Sequence, residues 1–571
     1  MLAASPAIMA QTAPGGKIKA CAAGDTSIVV SAKTADRWLP VMRIDCGPIR
    51  GVAVGDSGTV AYDMPYGKRL HRTNTYESAR YALASGDTIV VRTYADGVAW
   101  SGCHDYTVDL SGASHSWLME WTSSYEGFFP KDREDIAEGM RLAYPSLFEF
   151  GDKDVFLLLS ESGINESSAA SSLYATQLPG RFSIRPDGKE APGWQTAIIG
   201  TLADVVESTL VADNSEPCRL DDTSWIKPGV ASWVYWAYNH GSNDYGIICR
   251  YVDLARELGL PYVLIDAEWD EMKDGKTVLD AVTYARENGV MPMIWYNSSI
   301  GWIDGAPGPK FRLNDPADCE KEFAWCEANG IKGVKIDFFS GDTNRNISYM
   351  MRLLDCAARH RLLVNFHGAT IPRGLQRTYP NLISVEGVYG AEWYNNVPTF
   401  TDKAAAHNAT LPFTRNVVGP MDYTPCAFSD SQHPHITTDA HELALTVLFE
   451  SGIQHLADRP ESFLAQPAGI RRFLSELPAA WDETLLLGGY PGEYAVMARR
   501  KASRWYIAGI NGNDSERIVT PDLSRIPGAR SMSATLIADT DAGWGISEPE
   551  ALPESIVMKP RGGFVIVLDK E

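Results

Sequence analysis

The chain has 571 residues, 45% hydrophobic and 22% charged, which supports several folded domains and argues against a largely disordered chain. Fifty-one basic residues against 72 acidic ones give a formal net charge of −21. That balance excludes nucleic acid and anionic membrane surfaces as partners and suits neutral ligands and hard cations.

The opening residues, Met1 to Gln11, resemble the end of a secretory signal, with Ser5-Pro6-Ala7 as a small-x-small cleavage pattern. Export to a periplasm or the medium is the expectation. No apolar run in the sequence reaches the length of a membrane span. The nine cysteines contain no C-x-x-C pair that would frame a zinc ribbon, and their scatter predicts incidental thiols or at most a few disulfides.

From about residue 25 to 210, short apolar runs such as Thr88–Tyr94 and Asp154–Leu159 alternate with turn clusters such as Tyr66-Gly67-Lys68 and Pro186-Asp187-Gly188. This predicts a sandwich of many short strands. The acidic stretch Ala212–Pro228, with Pro217 and Pro228, reads as a linker.

Beyond it the period changes. Four segments repeat one grammar of amphipathic helix, Gly or basic stop, and apolar strand, with strands starting at 262, 291, 333 and 362. Ser232–Trp236 precedes them, and Leu382–Glu386, Phe413–Val418 and Gly452–Leu456 follow. Eight such strands predict a (β/α)8 TIM barrel. After about 485, Ala495–Ala498, Trp505–Ile510, Ala534–Ile537 and Gly563–Leu568 predict a small β-sandwich. The expected domains are therefore 1–215, 216–483 and 484–571.

A barrel of this kind places its chemistry at the C-terminal ends of its strands. The polar or aromatic residues there are Trp236; Asp266, with Glu268 beyond; Tyr296 and Asn297; Lys335 and Asp337; His367; Glu386, with Glu392 six residues on; Arg415 and Asn416; and His455 and Asp458. Several carboxylates around one mouth suit glycosidic cleavage, which needs one carboxyl as acid and one as nucleophile or base. Sixteen Trp and 24 Tyr fill cores and also suit stacking on the apolar face of a pyranose.

Gly333-Val-Lys-Ile-Asp-Phe338, Glu386-Gly-Val-Tyr-Gly-Ala-Glu392 and the stretch Phe413 to Pro425 resemble glycoside hydrolase family 97. The resemblance runs from about Thr88 to the end of the chain. It implies an N-terminal β-super-sandwich, a central (β/α)8 barrel and a C-terminal β domain, acting as an exo-α-glycosidase on oligosaccharides or glycosides. The family's inverting branch, α-glucosidases, carries a glutamate after the histidine of the fifth strand and lacks the aspartate of the fourth. Here Gly368 follows His367 and Asp337 ends the fourth strand, which resembles the retaining, α-galactosidase-like branch. On that resemblance Asp337 is the nucleophile and Glu392 the acid/base. Lys335, His367, Asp266 and Trp236 contact substrate. Glu161, Glu386 and Glu392 ligate Ca2+, with Glu161 supplied by the N-terminal domain. An inverting α-glucosidase, a non-catalytic sugar-binding protein and a β-L-arabinopyranosidase remain alternatives, and the oligomeric state is open.

Overall fold

Alternation along the first two hundred residues builds two antiparallel sheets of eight strands each. The computed structural model describes residues 10–570 apart from Asp36, 103–105, 132–134, Asp154, His240, Asp274 and Ala542. The proposed cleavage pattern Ser5-Pro6-Ala7 therefore lies outside the described residues. Thr88–Tyr94 shows the alternating burial of a strand with one wet face. Val155–Ser162 is buried at every position, so it reads as a continuous run rather than an alternating one.

The barrel strands are β1 (Gly229–Trp233), β2 (Tyr262–Ile265), β3 (Met291–Asn297), β4 (Gly333–Asp337), β5 (Leu363–Phe366), β6 (Leu382–Val385) and β7 (Ile453–Leu456). They pair in parallel from β6 through β5, β4, β3, β2 and β1 to β7. Helices α1 (Tyr245–Leu258), α2 (Val278–Glu287), α3 (Pro316–Asn329) and α4 (Asn344–Arg359) connect the middle strands. Their ends follow local chemistry. The Asp244 side chain accepts the Ile247 N–H at the start of α1, and Gly259 closes it at φ +66°, a left-handed conformation that glycine adopts without a Cβ penalty.

The position between β6 and β7 departs from the sequence expectation. Phe413–Val418, predicted as a strand, forms two short 3-10 turns, Leu411–Phe413 and Arg415–Val417. The buried Arg415 guanidinium organises this reversal. It donates to the carbonyls of Val385, Glu386, Gly387, Gly419 and Pro420, a role that β-branched and aromatic neighbours do not announce. The chain fills the gap a few residues later, where Met421 N–H donates to Glu450 and Asp422 N–H to Val385. Asp422, not Arg415, thus occupies the gap between β6 and β7 and meets His367 and His455.

The predicted linker is also packed more tightly than its composition implied. Ala212–Ser215 is buried, and the Arg377 guanidinium donates to the carbonyls of Ala212, Asp213 and Ser215. A six-stranded antiparallel sheet with its own core occupies the C-terminal region, and the four predicted strands all lie within it. Among the described residues no cysteine is in a disulfide, and no helix is long and apolar enough to cross a membrane.

Candidate active site

Period two along β4 sends Lys335 and Asp337 to the same inward face. Lys335 lies deeper. Its ammonium sits 3.1 Å from Asp266 at the end of β2 and 4.7 Å from the centre of the Trp233 ring. Asp266 also accepts from the Trp233 indole at 2.6 Å and the Ala267 N–H at 2.8 Å. Burial disfavours the charged amine, but Asp266 and Asp337 outweigh it and hold the Lys335 pKa above its ordinary value.

Asp337 is 9% exposed. Its Oδ1 accepts the Phe338 N–H at 2.7 Å and its Oδ2 the Trp295 indole at 3.2 Å. Burial raises its pKa, against the cations Lys335 and His367. Gly368 stands directly over it. A Cβ there would lie 2.9 Å from Phe338 N and 3.0 Å from Asp337 Oδ1, and the backbone is at φ +51°. The left-handed backbone, the Phe338 backbone and the Asp337 carboxylate together therefore disfavour a side chain at 368.

Glu386 and Glu392 follow β6. The Gly368 N–H donates to Glu386 Oε2 at 2.7 Å, and His367 Nδ1 lies 3.3 Å from Oε1. Burial alone would raise the Glu386 pKa; the adjacent His367 ring reverses it, and the carboxylate titrates below its usual range. Glu392 lies in a 3-10 turn, Ala391–Trp393, whose backbone is fixed by Tyr235 OH donating to the Glu392 carbonyl at 2.5 Å. The Trp236 indole donates to its Oε2 at 3.4 Å. Burial first, and the charge of Glu386 second, push Glu392 well above the usual carboxylate range. Glu386 and Glu392 thus sit close together with opposite protonation tendencies, the pattern by which paired carboxyls divide acid and charged roles.

His367 is held on both sides. Nε2 meets Asp422 Oδ2 at 2.7 Å while Nδ1 faces Glu386, and the same Asp422 oxygen lies 2.7 Å from His455 Nδ1. Burial opposes a charged ring, but Glu386 and Asp422 keep the His367 pKa well above its ordinary value. Nε2 is hydrogen-bonded to a carboxylate and Nδ1 faces another without a hydrogen bond.

Glu161 corrects an expectation. It is fully buried in the sandwich, where its carboxylate takes Arg373 at 2.8 Å, the Ser171 and Gly193 N–H groups at 3.0 Å each, and the Ser171 hydroxyl at 2.8 Å. It does not join the cluster in which His367, Glu386 and Glu392 offer ligand atoms within 4.8 Å of one another. An N-terminal acid that does reach the barrel mouth is Glu126. It accepts from the Trp393 indole at 2.8 Å, and burial and then the charge of Glu386 push it up to about 7. Glu161 acts behind it, because Arg373 also donates to the hydroxyl of Tyr125, the residue before Glu126. Glu126 sits outside any strand, so no periodicity pointed to it. Trp295 lies on the third strand and Asp422 within the stretch Phe413 to Pro425, but neither is singled out there.

A family model described as glycoside hydrolase 97 matches residues 230–388, and another described as glycosyl-hydrolase 97 C-terminal, oligomerisation, matches 480–569. A probable retaining α-galactosidase of Streptomyces bingchenggensis is 37% identical over 450 residues, covering 74% of this chain and 67% of that one. The chain belongs to glycoside hydrolase family 97. A retaining α-galactosidase of Bacteroides thetaiotaomicron is 32% identical over 366 residues, and there the match spans 61% of this chain and 54% of the relative. The crystal structure of a β-arabinopyranosidase superposes with a TM-score of 0.87 at 26% identity, covering 98% of this chain and all of that one. A family 97 enzyme from Pseudoalteromonas sp. strain K8, in complex with acarbose, shares the fold with a TM-score of 0.83 at 20% identity, covering 98% of this chain and all of that one. Membership of family 97 makes the chain a glycoside hydrolase, and its architecture is the family's TIM barrel between flanking β domains.

Proposed function

We propose that this family 97 member is a retaining exo-α-galactosidase that works by two displacements, with Asp337 as nucleophile and Glu392 as acid/base. The observation that carries the reading is Asp337 itself, a buried, twice hydrogen-bonded carboxylate at the end of β4 with no side-chain carboxyl opposite it at Gly368. The retaining α-galactosidases among its relatives supply the sugar.

In the first step Asp337 attacks the anomeric carbon while protonated Glu392 gives its proton to the leaving oxygen, forming a covalent glycosyl-Asp337. In the second, Glu392 as carboxylate takes a proton from water, which attacks the same carbon and restores the α configuration. The raised pKa of Glu392 suits the first role. Lys335 and Asp266, paired at the floor, offer the donor and acceptor for the terminal sugar's hydroxyls. Trp236, half-buried beside Glu392, is placed to hold that acid and to flank the sugar. We read His367 as a positioning residue, since its nitrogens serve Glu386 and Asp422.

Calcium fits the donor set. Glu386 and Glu392 present hard carboxylate oxygens within 4.8 Å of each other, and Glu126 lies near enough to feel the charge of Glu386; burial first and that charge second raise Glu392 and Glu126, and a divalent cation relieves such crowding. Bound there, calcium would supply fixed positive charge, and Glu126 would tie the sandwich to the barrel. The presence of Ser5-Pro6-Ala7 supports secretion or a periplasmic site of action.

The test is a panel of aryl α-glycosides assayed with EDTA and with added calcium. The α-galactoside is turned over with kcat/KM on the order of 100-fold above the α-glucoside, because buried groups aimed at one hydroxyl are left unpaired by its epimer. EDTA lowers that activity and calcium restores it. Preference for the α-glucoside, or indifference to EDTA, contradicts the substrate or the metal respectively.

A further inference from the structure

Among the described residues, most large apolar side chains that remain exposed lie on the flanking sheets; in the barrel Trp302 is 53% exposed and Phe311 61% exposed. Both belong to the segment between β3 and α3, at the C-terminal end of the strands where the site opens. An exposed indole normally samples several rotamers. This one is pinned. Its Nε1 donates to the Asp304 carbonyl at 2.8 Å, the Asn297 side-chain amide donates to the Trp302 backbone carbonyl at 3.3 Å, and Phe338 packs edge-on against the Trp302 ring at 4.9 Å.

The same segment is tied to the nucleophile. The Ser298 N–H donates to the Asp337 carbonyl at 2.8 Å and the Ser298 hydroxyl to the Phe338 carbonyl at 2.7 Å. Gly301 approaches so closely that a Cβ there would meet the Phe338 carbonyl oxygen at 2.3 Å. Phe338 in turn packs on Trp295, whose indole holds Asp337. A row of aromatic rings therefore leads outward from Asp337 to solvent and ends in a rigid, half-exposed Trp302.

Order along this row assigns the ligand. Lys335 and Asp266 lie deeper than Asp337 and take the hydroxyls of the terminal sugar, so the space outward of Asp337 receives what leaves from the anomeric carbon. We propose that Trp302 is the platform of a leaving-group subsite, stacking on the apolar face of the pyranose that follows the terminal galactose in an oligosaccharide. This rests on the exo-galactosidase reading and adds to it a preference for oligosaccharides over galactosides with compact leaving groups. A tryptophan fixed in one rotamer offers that face at little entropic cost.

The experiment compares Trp302→Ala, Trp302→Phe and the unaltered enzyme on two substrates, an α-1,6-linked galactosyl oligosaccharide and α-galactosyl fluoride, whose leaving group is too small to reach the indole. The ratio of the two kcat/KM values falls roughly tenfold in Trp302→Ala, mostly through KM of the oligosaccharide, and recovers in large part in Trp302→Phe. Equal loss on both substrates, or no change in the ratio, overturns the subsite. If the unaltered enzyme cleaves neither substrate, the galactosidase reading fails instead. Trp302 is exposed, so the variants fold, and circular dichroism checks this.

Discussion

Asp337→Gly lowers turnover of an aryl α-galactoside by on the order of 10⁴-fold or more, while thermal stability stays level or rises. The two halves have one cause. Asp337 is buried and burial raises its pKa, so the folded chain bears the cost of a desolvated carboxylate in order to hold a nucleophile. Its removal does not strand a charge, because Lys335 keeps its ion pair with Asp266 at 3.1 Å. The excision leaves a space on the face of the anomeric carbon opposite the leaving group. Azide added to the variant enters it and yields a β-galactosyl azide, of inverted configuration. A loss below about tenfold, or rescue that gives the α-azide, assigns the nucleophile elsewhere. A large drop in melting temperature would mean that Asp337 is chiefly structural.

Glu392→Gln separates the acid from the nucleophile. The amide keeps the size of the side chain and a partner for the Trp236 indole but has no proton to give. With an oligosaccharide, whose leaving alkoxide needs that proton, kcat/KM falls about 10³-fold. With an activated aryl galactoside the first step survives and the second, which needs the carboxylate to activate water, becomes limiting, so kcat and KM both fall and the glycosyl-enzyme accumulates. Mass spectrometry of the quenched enzyme detects the added hexose. Uniform loss on both substrates without accumulation would remove Glu392 from the acid/base role and leave it as a ligand or positioning residue.

What the sequence disclosed followed from periodicity. Strands starting at 262, 291 and 333 stand where the apolar runs place them, and the fifth begins one residue later than read, at Leu363. Buried parallel strands advertise themselves as apolar runs, and the residue ending each was legible as a rim residue. Asp266, Lys335, Asp337 and Glu386 were all read this way. The losses came where a side chain overrides local preference. Phe413–Val418 has strand composition, yet Arg415 bends it into turns by collecting five carbonyls, and Asp422 occupies the gap between β6 and β7.

Glu161, the sandwich glutamate to which the resemblance pointed, lies away from the cluster of His367, Glu386 and Glu392. The resemblance alone pointed to Glu161, and its oxygens are taken up by Arg373 and backbone N–H groups. Glu126 lies on a loop with no period to mark it and is found only through its contact with Trp393 and its repulsion by Glu386. Gly368 gained a second meaning. The resemblance cast it as a missing carboxylate, and the structure adds that a side chain there would clash with the Phe338 backbone and crowd Asp337.

Retention through a covalent Asp337 intermediate is the central claim, and the anomer first released tests it most directly. Proton NMR of an aryl α-galactoside, followed from the first minutes before mutarotation, shows α-galactose forming first if Asp337 is the nucleophile and Glu392 the acid/base. Initial release of β-galactose, with the α anomer appearing only as mutarotation proceeds, would contradict it and make Asp337 a base acting on water.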